Sequence, residues 1–403
     1  MWLLIAARAI NRLGAFSPSF LTVLISTEYG ASVATAGLIA AAFGLATIPS
    51  RLAGGRLADR LGRRRTIVLG LTGSAVAQLG IAAADTLATV ASCAVLLGLV
   101  FELYEPPSQA MIADAVGSSE RERAYSLLNA SLAAAGMGAG LIAAGLGRWD
   151  LRWLFVADAL TCLACATVVH FVLPANQPNA PALTADRAID IKPWHDRALL
   201  AMFLSGTLFA LIYLQVMVTL PLAVTQQGLQ PADAGMLFTT SAVAIVAGQP
   251  LLRLKWITAL SVPGALTAGY LLLATGLGSY AIDHTLGAFL ASTTCWSLGD
   301  LLLMGRVYAV VADLAPPGGT GRYMAAFGTS WGIAATAAPL AGTQILEHAG
   351  TTPLWIGMAA ACLVLAIAQP LIVRTIAVRE AAAAPEPAPS RPAAPRTRTG
   401  DAV

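Results

Sequence analysis

The chain has 403 residues, of which 57% are hydrophobic and only 11% charged, and its mean hydropathy is +0.72. So much apolar surface exceeds what a soluble core of this size buries, which excludes an ordinary water-soluble enzyme and points to a polypeptide that lives in a bilayer. The formal net charge of +3 is small, and no basic run outside the apolar segments is interleaved with aromatics, which argues against a nucleic-acid surface.

A membrane-crossing helix needs about 20 mostly apolar residues. Runs of this kind predict spans at 2–28, 35–58, 66–84, 87–113, 123–147, 152–172, 197–224, 232–254, 260–281, 286–312, 322–346 and 354–376. The first starts at Trp2 with no basic region ahead of it and no small-residue cleavage site, so it is expected to be retained as a span. Two polar pieces lack the apolar residues needed to order them alone. The expected organisation is a six-helix bundle over 1–173, a cytoplasmic linker over 174–196, a second six-helix bundle over 197–376 and a disordered cytoplasmic tail over 377–403.

Orientation follows from the basic residues, which accumulate in cytoplasmic loops. Arg60, Arg63, Arg64, Arg65, Arg121, Arg123, Arg187, Lys192, Arg197, Arg253, Lys255, Arg322, Arg374 and Arg379 fall in one set of loops, and only Arg148 and Arg152 in the opposite set. Both termini are therefore expected in the cytoplasm. The five cysteines lie inside apolar runs, and Cys162 and Cys165 read as helix-packing residues without histidine partners for a metal.

The segment MIADAVGSSERERAYSLLN aligns with VVADLAPPGGTGRYMAAFG in the second half, and Asp114 to Arg123 repeats as Asp313 to Arg322 at the same spacing. Repeats related across two halves are how many secondary transporters build a site at the bilayer midplane. The expected fold is all-α and integral to the membrane, with twelve transmembrane helices in two pseudo-symmetric six-helix bundles.

Scarce charge is concentrated in GGRLADRLGRRRT, between the second and third spans. Gly55, Asp59, Arg60, Gly62, Arg63 and Arg64 read as a conformational latch, in which glycines allow close approach and charges bridge helix ends. Plain positive-inside signalling is the alternative, although it leaves Asp59 unexplained. This loop resembles the signature between spans two and three of the major facilitator superfamily, and the resemblance covers nearly the whole chain. It implies that Asp59 and its neighbours hold the halves together against a helix of the second half. The second-half equivalent, GQPLLRLKW, keeps Gly248, Arg253 and Lys255 but lacks the aspartate. ELYEPPSQAMIADAVGSSERERAYSLLNA looks like the span four to five region of the twelve-span bacterial drug:proton antiporters, while GMGAGLIAAG keeps Gly136, Gly140 and Gly145 of that group's span-five signature but has Leu141 where proline is expected.

A charge at mid-bilayer is costly, so embedded ionisable residues are functional-site candidates by default. Spans one, four, six and ten carry Arg8 and Arg12, Glu102 and Glu105, Asp158, and Asp300 and Arg306 respectively. In the resembling family spans one, four, seven and ten line the cavity. The repeat offset places Glu102 beside Asp300 as near-equivalent carboxylates, expected to exchange protons and attract a cation, unless they are structural acids satisfied by neighbours. Glu105 joins them as a third candidate. Asp158, near the outer face, reads as structural. Asn11, Tyr104, Tyr213, Gln215 and Trp296 are candidates to hydrogen-bond or stack on a ligand, or simply pack between helices. Matching depths predict an Arg12–Glu105 ion pair, with Glu102 the competing partner and Pro106 and Pro107 as a hinge below it.

No nucleophile arrangement, phosphate loop or metal cluster appears, so neither an enzyme nor a cofactor is expected. The expected partners are a small-molecule substrate, protons and membrane lipid. The resulting expectation is proton-coupled efflux of small lipophilic or cationic compounds across a bacterial plasma membrane, with a cavity taken as aliphatic and aromatic-poor. Import or facilitated diffusion of a metabolite is one rival, and a transport-inactive membrane receptor or scaffold is another. The topology is testable: a cysteine introduced at Ser118 or Ala180, in a background lacking native cysteines, should react with impermeant reagent only from the cytoplasmic side. Labelling from outside would refute this orientation.

Overall fold

A computed structural model describes residues 2–14, 16–114, 121–172, 193–315 and 320–383. The Ser118 loop, the bulk of the linker and the end of the tail lie outside these residues. The first half comprises α1 (Trp2–Gly14), α2 (Leu21–Glu28), α3 (Val33–Leu61), α4 (Arg63–Ala82), α5 (Leu87–Phe101), α6 (Glu105–Asp114), α7 (Arg121–Leu146) and α8 (Arg152–Val172). The second half comprises α9 (Arg197–Gln226), α10 (Asp233–Gly248), the short α11 (Lys255–Thr258), α12 (Val262–Ser279), α13 (Leu286–Asp313), α14 (Thr320–His348) and α15 (Thr351–Ala383). Among the described residues, nine helices are long and apolar enough to cross a membrane. Leucines such as Leu45, Leu99, Leu160 and Leu271 are exposed on their outer faces, where a bilayer replaces water.

Local chemistry sets the helix starts. Ser32, Thr86, Asp196, Ser261 and Thr285 each accept a backbone N–H of the first turn through the side chain, as N-caps do. Gly62 ends α3 and begins α4 at φ +88°, a conformation that favours glycine, and its carbonyl accepts from Thr66 N at 3.1 Å.

The packing repeats between halves. In the first, α4 packs on α5 and α8, α3 on α5, and α1 on α7 and α8; in the second, α12 packs on α13 and α15, α10 on α13, and α9 on α14 and α15. The same pairing exchanges the two main contacts between halves, α3 with α14 and α10 with α7.

Small residues make those contacts close. A Cβ on Gly140 would lie 2.6 Å from Thr239 N and 2.8 Å from Gly235 O, and one on Gly235 would lie 2.7 Å from Gly140 O. Along α3 and α14, Gly37 meets Thr343, Gly44 meets the Ala335 carbonyl, and the Ala34 amide donates to Glu347. Arg148 closes the neighbouring α7–α10 end on Asp233 at 3.0 Å. Further along, Arg51, Leu52 (63% exposed), Arg56 and Arg60 are exposed, so α3 leaves the interface there.

The structure divides the glycines differently from their sequence grouping. Gly136, Gly140 and Gly147 line the α7–α10 contact, whereas a Cβ on Gly145 would meet nothing within 4 Å, and Leu141 is exposed. Gly140→Val should therefore destabilise the protein by about 1–3 kcal/mol and slow disulfide cross-linking of cysteines placed at 147 and 232. Gly145→Val should do neither; equal effects of the two in a detergent unfolding assay would contradict the interface.

Candidate substrate and proton site

Span one is not one helix. It breaks after Gly14, and a 3₁₀ turn at Ser17–Phe20 with Pro18 in its first turn leads into α2. Asp158 of α8 anchors this break: Ser17 Oγ donates to its Oδ2 at 2.5 Å, Gln78 Nε2 donates to the same oxygen at 2.9 Å, and Gly14 packs on its backbone. A structural role for Asp158 fits these contacts. It is only 2% exposed and joins α1, α4 and α8.

Span four breaks as well. Residues 102–104 form a turn between α5 and α6, with Leu103 N donating to Val100 O at 3.2 Å and Glu105 N to Glu102 O at 3.3 Å. Pro106 and Pro107 lack N–H groups and sit in the first turn of α6, where those groups would have no intrahelical partner. The break thus lies just before Pro106 and Pro107, the residues expected to form the hinge. Gly54 and Gly70 admit the turn: a Cβ on Gly54 would lie 2.6 Å from Leu103 O, and one on Gly70 3.0 Å from Leu103 Cβ.

The break changes which charges meet. Arg8 Nη2 lies 2.6 Å from Glu105 Oε2, with the side chains 12% and 21% exposed, and the guanidinium sits 4.9 Å from the Tyr104 ring centroid. This corrects the expected Arg12–Glu105 pair, because equal depth was inferred from an unbroken span four. Arg12 instead lies 5.9 Å from the Phe16 ring centroid. Glu102 is half-buried at the turn, accepts the fields of Arg51 and Arg8, and its backbone N–H donates to Ser50 Oγ at 3.1 Å.

Asp300 occupies different surroundings from Glu102. It is 5% exposed within the continuous α13, its Oδ1 has no hydrogen-bond partner, and Tyr213 and Tyr270 both lie within its field. The two carboxylates therefore do not face one open cavity in the same way. Arg306 is turned onto the Leu302 carbonyl of its own helix at 2.9 Å.

Several expected cavity residues serve packing. Asn11 Nδ2 donates to Cys162 Sγ at 3.2 Å, towards α8 and away from the second half. Gln215 is buried against α14: with its amide oriented to satisfy both groups, it donates to Ala338 O at 2.7 Å and accepts from Gly342 N at 3.1 Å. Trp296 Nε1 donates to Tyr280 Oη at 2.9 Å in a buried aromatic cluster. In the loop expected to act as a latch, Gly54 rather than Gly55 makes the close approach, Arg60 is exposed, and Arg63 and Arg64 are half-buried and partnered. The side chains of Asp59, Asp114, Arg123 and Arg322 lie outside the described residues.

Aromatic side chains of α9, α13 and α14 cluster together. Trp331 of α14 packs against Tyr213 at 5.3 Å and Phe209 at 6.3 Å between centroids, and Tyr308 of α13 packs edge to face on Phe327 at 5.5 Å. The sequence reading missed Trp331, Tyr308 and Arg51. Tyr323, Phe327 and Trp331 recur every four residues along one face of α14, a visible signal; Arg51 was masked by the basic loop beside it. The ion pair has a direct test. Arg8→Gln and Glu105→Gln should each cost about 3 kcal/mol in detergent unfolding, since each strands a charge, and the double variant should cost less than their sum. Strict additivity would remove the pair.

Comparison with known proteins agrees with this architecture. The family model described as Major Facilitator Superfamily matches residues 3–230 and 198–400. The chain is 25% identical over 355 residues to the uncharacterized MFS-type transporter YhjO of Bacillus subtilis, covering 86% of each chain. It is 29% identical over 296 residues to the multidrug resistance protein MdtH of Aeromonas hydrophila, covering 72% of this chain and 73% of that protein. Its fold is like that of the peptide transporter POT in complex with sulfate, with a TM-score of 0.73 at 17% identity over 94% of both chains. The nucleoside transporter NupG gives 0.76 at 11% identity, covering 92% of this chain and 99% of that one. Two repeated halves meeting through glycine-lined helices, mid-span charges and a family match over nearly the whole length lead to one conclusion: the chain is a multi-pass membrane protein belonging to the Major Facilitator Superfamily of transporters.

Proposed function

We propose that the protein is a proton-coupled exporter of small lipophilic or cationic compounds, working by alternating access in a bacterial plasma membrane. The observation that carries this reading is the concentration of ionisable groups at the broken turn of span four and in α13, between halves joined at one end. The likeness to the multidrug resistance protein MdtH supports the substrate range. In this reading the chain crosses the membrane twelve times, with α1 and α2 forming one broken span and α7 and α14 completing the set, and with both termini in the cytoplasm.

Glu102 and Asp300 are the proposed proton-exchanging groups. A carboxylate removed from water favours its neutral form, and access to water on alternate sides lets it load and release a proton. The Arg8–Glu105 pair holds the turn that carries Glu102, so movement of span four and the state of that carboxylate are linked. The loop around Asp59 serves as the latch.

Proteoliposomes test this. An imposed pH gradient should drive uphill movement of a fluorescent lipophilic compound, and Glu102→Gln and Asp300→Asn should each abolish uphill movement while leaving downhill exchange. Gradient-independent equilibration by the unaltered protein would instead support a facilitator. No movement across a broad compound panel would favour a receptor or scaffold.

A further inference from the structure

Arg12 lies ten residues into span one, about 15 Å along the helix from Trp2 at 1.5 Å per residue. Even so, it is exposed, in contrast to Arg8 one turn earlier. The exposure faces the space between the halves. Phe16, over which the guanidinium sits, stacks on Phe238 of the second half at 4.7 Å with ring planes 7° apart. Tyr213, also of the second half, lies within the field of Arg12.

The acids nearby are engaged elsewhere. Glu105 pairs with Arg8, and Asp158 accepts from Ser17 and Gln78. Glu102 lies in the field of Arg51, and Asp300 is buried. Among the described residues, Arg12 has no carboxylate within ion-pair distance. Among the described residues the exposed charge is therefore a cation without a counterion, lying 5.9 Å from the centroid of the Phe16 ring.

We propose that Arg12 is an anion-binding group of the central cavity and that its ligand is a lipophilic organic anion, a carboxylate or sulfonate on an aromatic body. The guanidinium fork matches the two oxygens of such a group, and among the described residues no hydrogen bond engages its N–H groups. Tyr213 and Trp331, packed edge to face and half-buried, offer an aromatic wall from the other half. A ligand bridging the two would touch both halves, as a substrate of alternating access must. A cationic ligand would meet Arg12 as a like charge. The inference rests on the transporter reading and narrows its substrate class.

The test uses purified full-length protein and three probes of one shape: 2-naphthoate, 2-naphthamide and 2-naphthylmethylammonium, with binding read by tryptophan fluorescence. The carboxylate should bind at least tenfold tighter than the amide, with the ammonium weakest. Arg12→Gln should bring the carboxylate to the level of the amide while leaving amide affinity unchanged, which also reports that the variant is folded. Should Arg12→Gln lose amide binding, Arg12→Lys decides: it keeps the charge but loses the fork, and the carboxylate's advantage should fall at least threefold. Equal binding of all three probes, no binding, tightest binding of the ammonium, or an undiminished preference in the decisive variant would overturn the proposal. Binding needs no gradient, so the two readings fail separately. The expected order of affinities without any transport in proteoliposomes would overturn the transporter reading alone, and export of neutral or cationic compounds with equal probe binding would overturn the anion site alone.

Discussion

The Arg8–Glu105 ion pair joins span one to the broken turn of span four, and the surrounding first half is built so that these two charges stay together. In hydrocarbon neither is tolerable alone, and stranding either costs more than removing both. Pro106 and Pro107 determine where α6 starts, which places Glu105 at its first residue. Gly54 and Gly70 let the non-helical turn sit against α3 and α4, and the Tyr104 ring lies under the guanidinium. The same turn presents Glu102. Pairing one acid and leaving its neighbour out of the pair gives two carboxylates three residues apart different surroundings, set by a helix break and not by residue type.

The halves are joined by a different physics. Where α7 crosses α10, and α3 crosses α14, backbone approaches backbone because glycines stand at the crossings, and packing of this kind replaces the hydrophobic drive that lipid cannot supply. Arg148–Asp233 and the Glu347 contact to Ala34 close the same end with polar groups. Such an interface has few side-chain atoms to rearrange and is suited to separating as a unit. The buried node of Gln215 with Ala338 and Gly342 instead fastens α9 to α14 within the second half.

Much of this was legible in the residues. Apolar runs located the long helices but not the breaks in the first and fourth spans, and the Asp114/Asp313 repeat anticipated packing in which α3–α14 and α7–α10 are equivalent contacts. The charges were found, but not all of their partners. Arg12 was matched to Glu105 because a uniform rise was carried through a span that is broken, and periodicity cannot register a three-residue turn. Asn11 and Gln215 looked like ligand donors, since sequence gives a residue's depth but not the direction its helix face points; both turn into helix contacts. Low aromatic content overall hid a local cluster, because Trp331, Tyr308, Tyr213 and Phe209 come from three different helices. Gly145 looked equivalent to Gly140, and only the α10 backbone distinguishes them.

Closure at one end of the molecule, with the mid-span charges beyond it, is the feature on which the functional account turns. Double electron–electron resonance measures it most directly, with spin labels at Ala31 and His348 on the closed end and at Arg56 and Met324 on the other. The account predicts reciprocal changes on adding a transported compound and shifting pH: the first pair separates as the second draws together. A first pair that keeps one separation under every condition, or two pairs that open and close together, would contradict it.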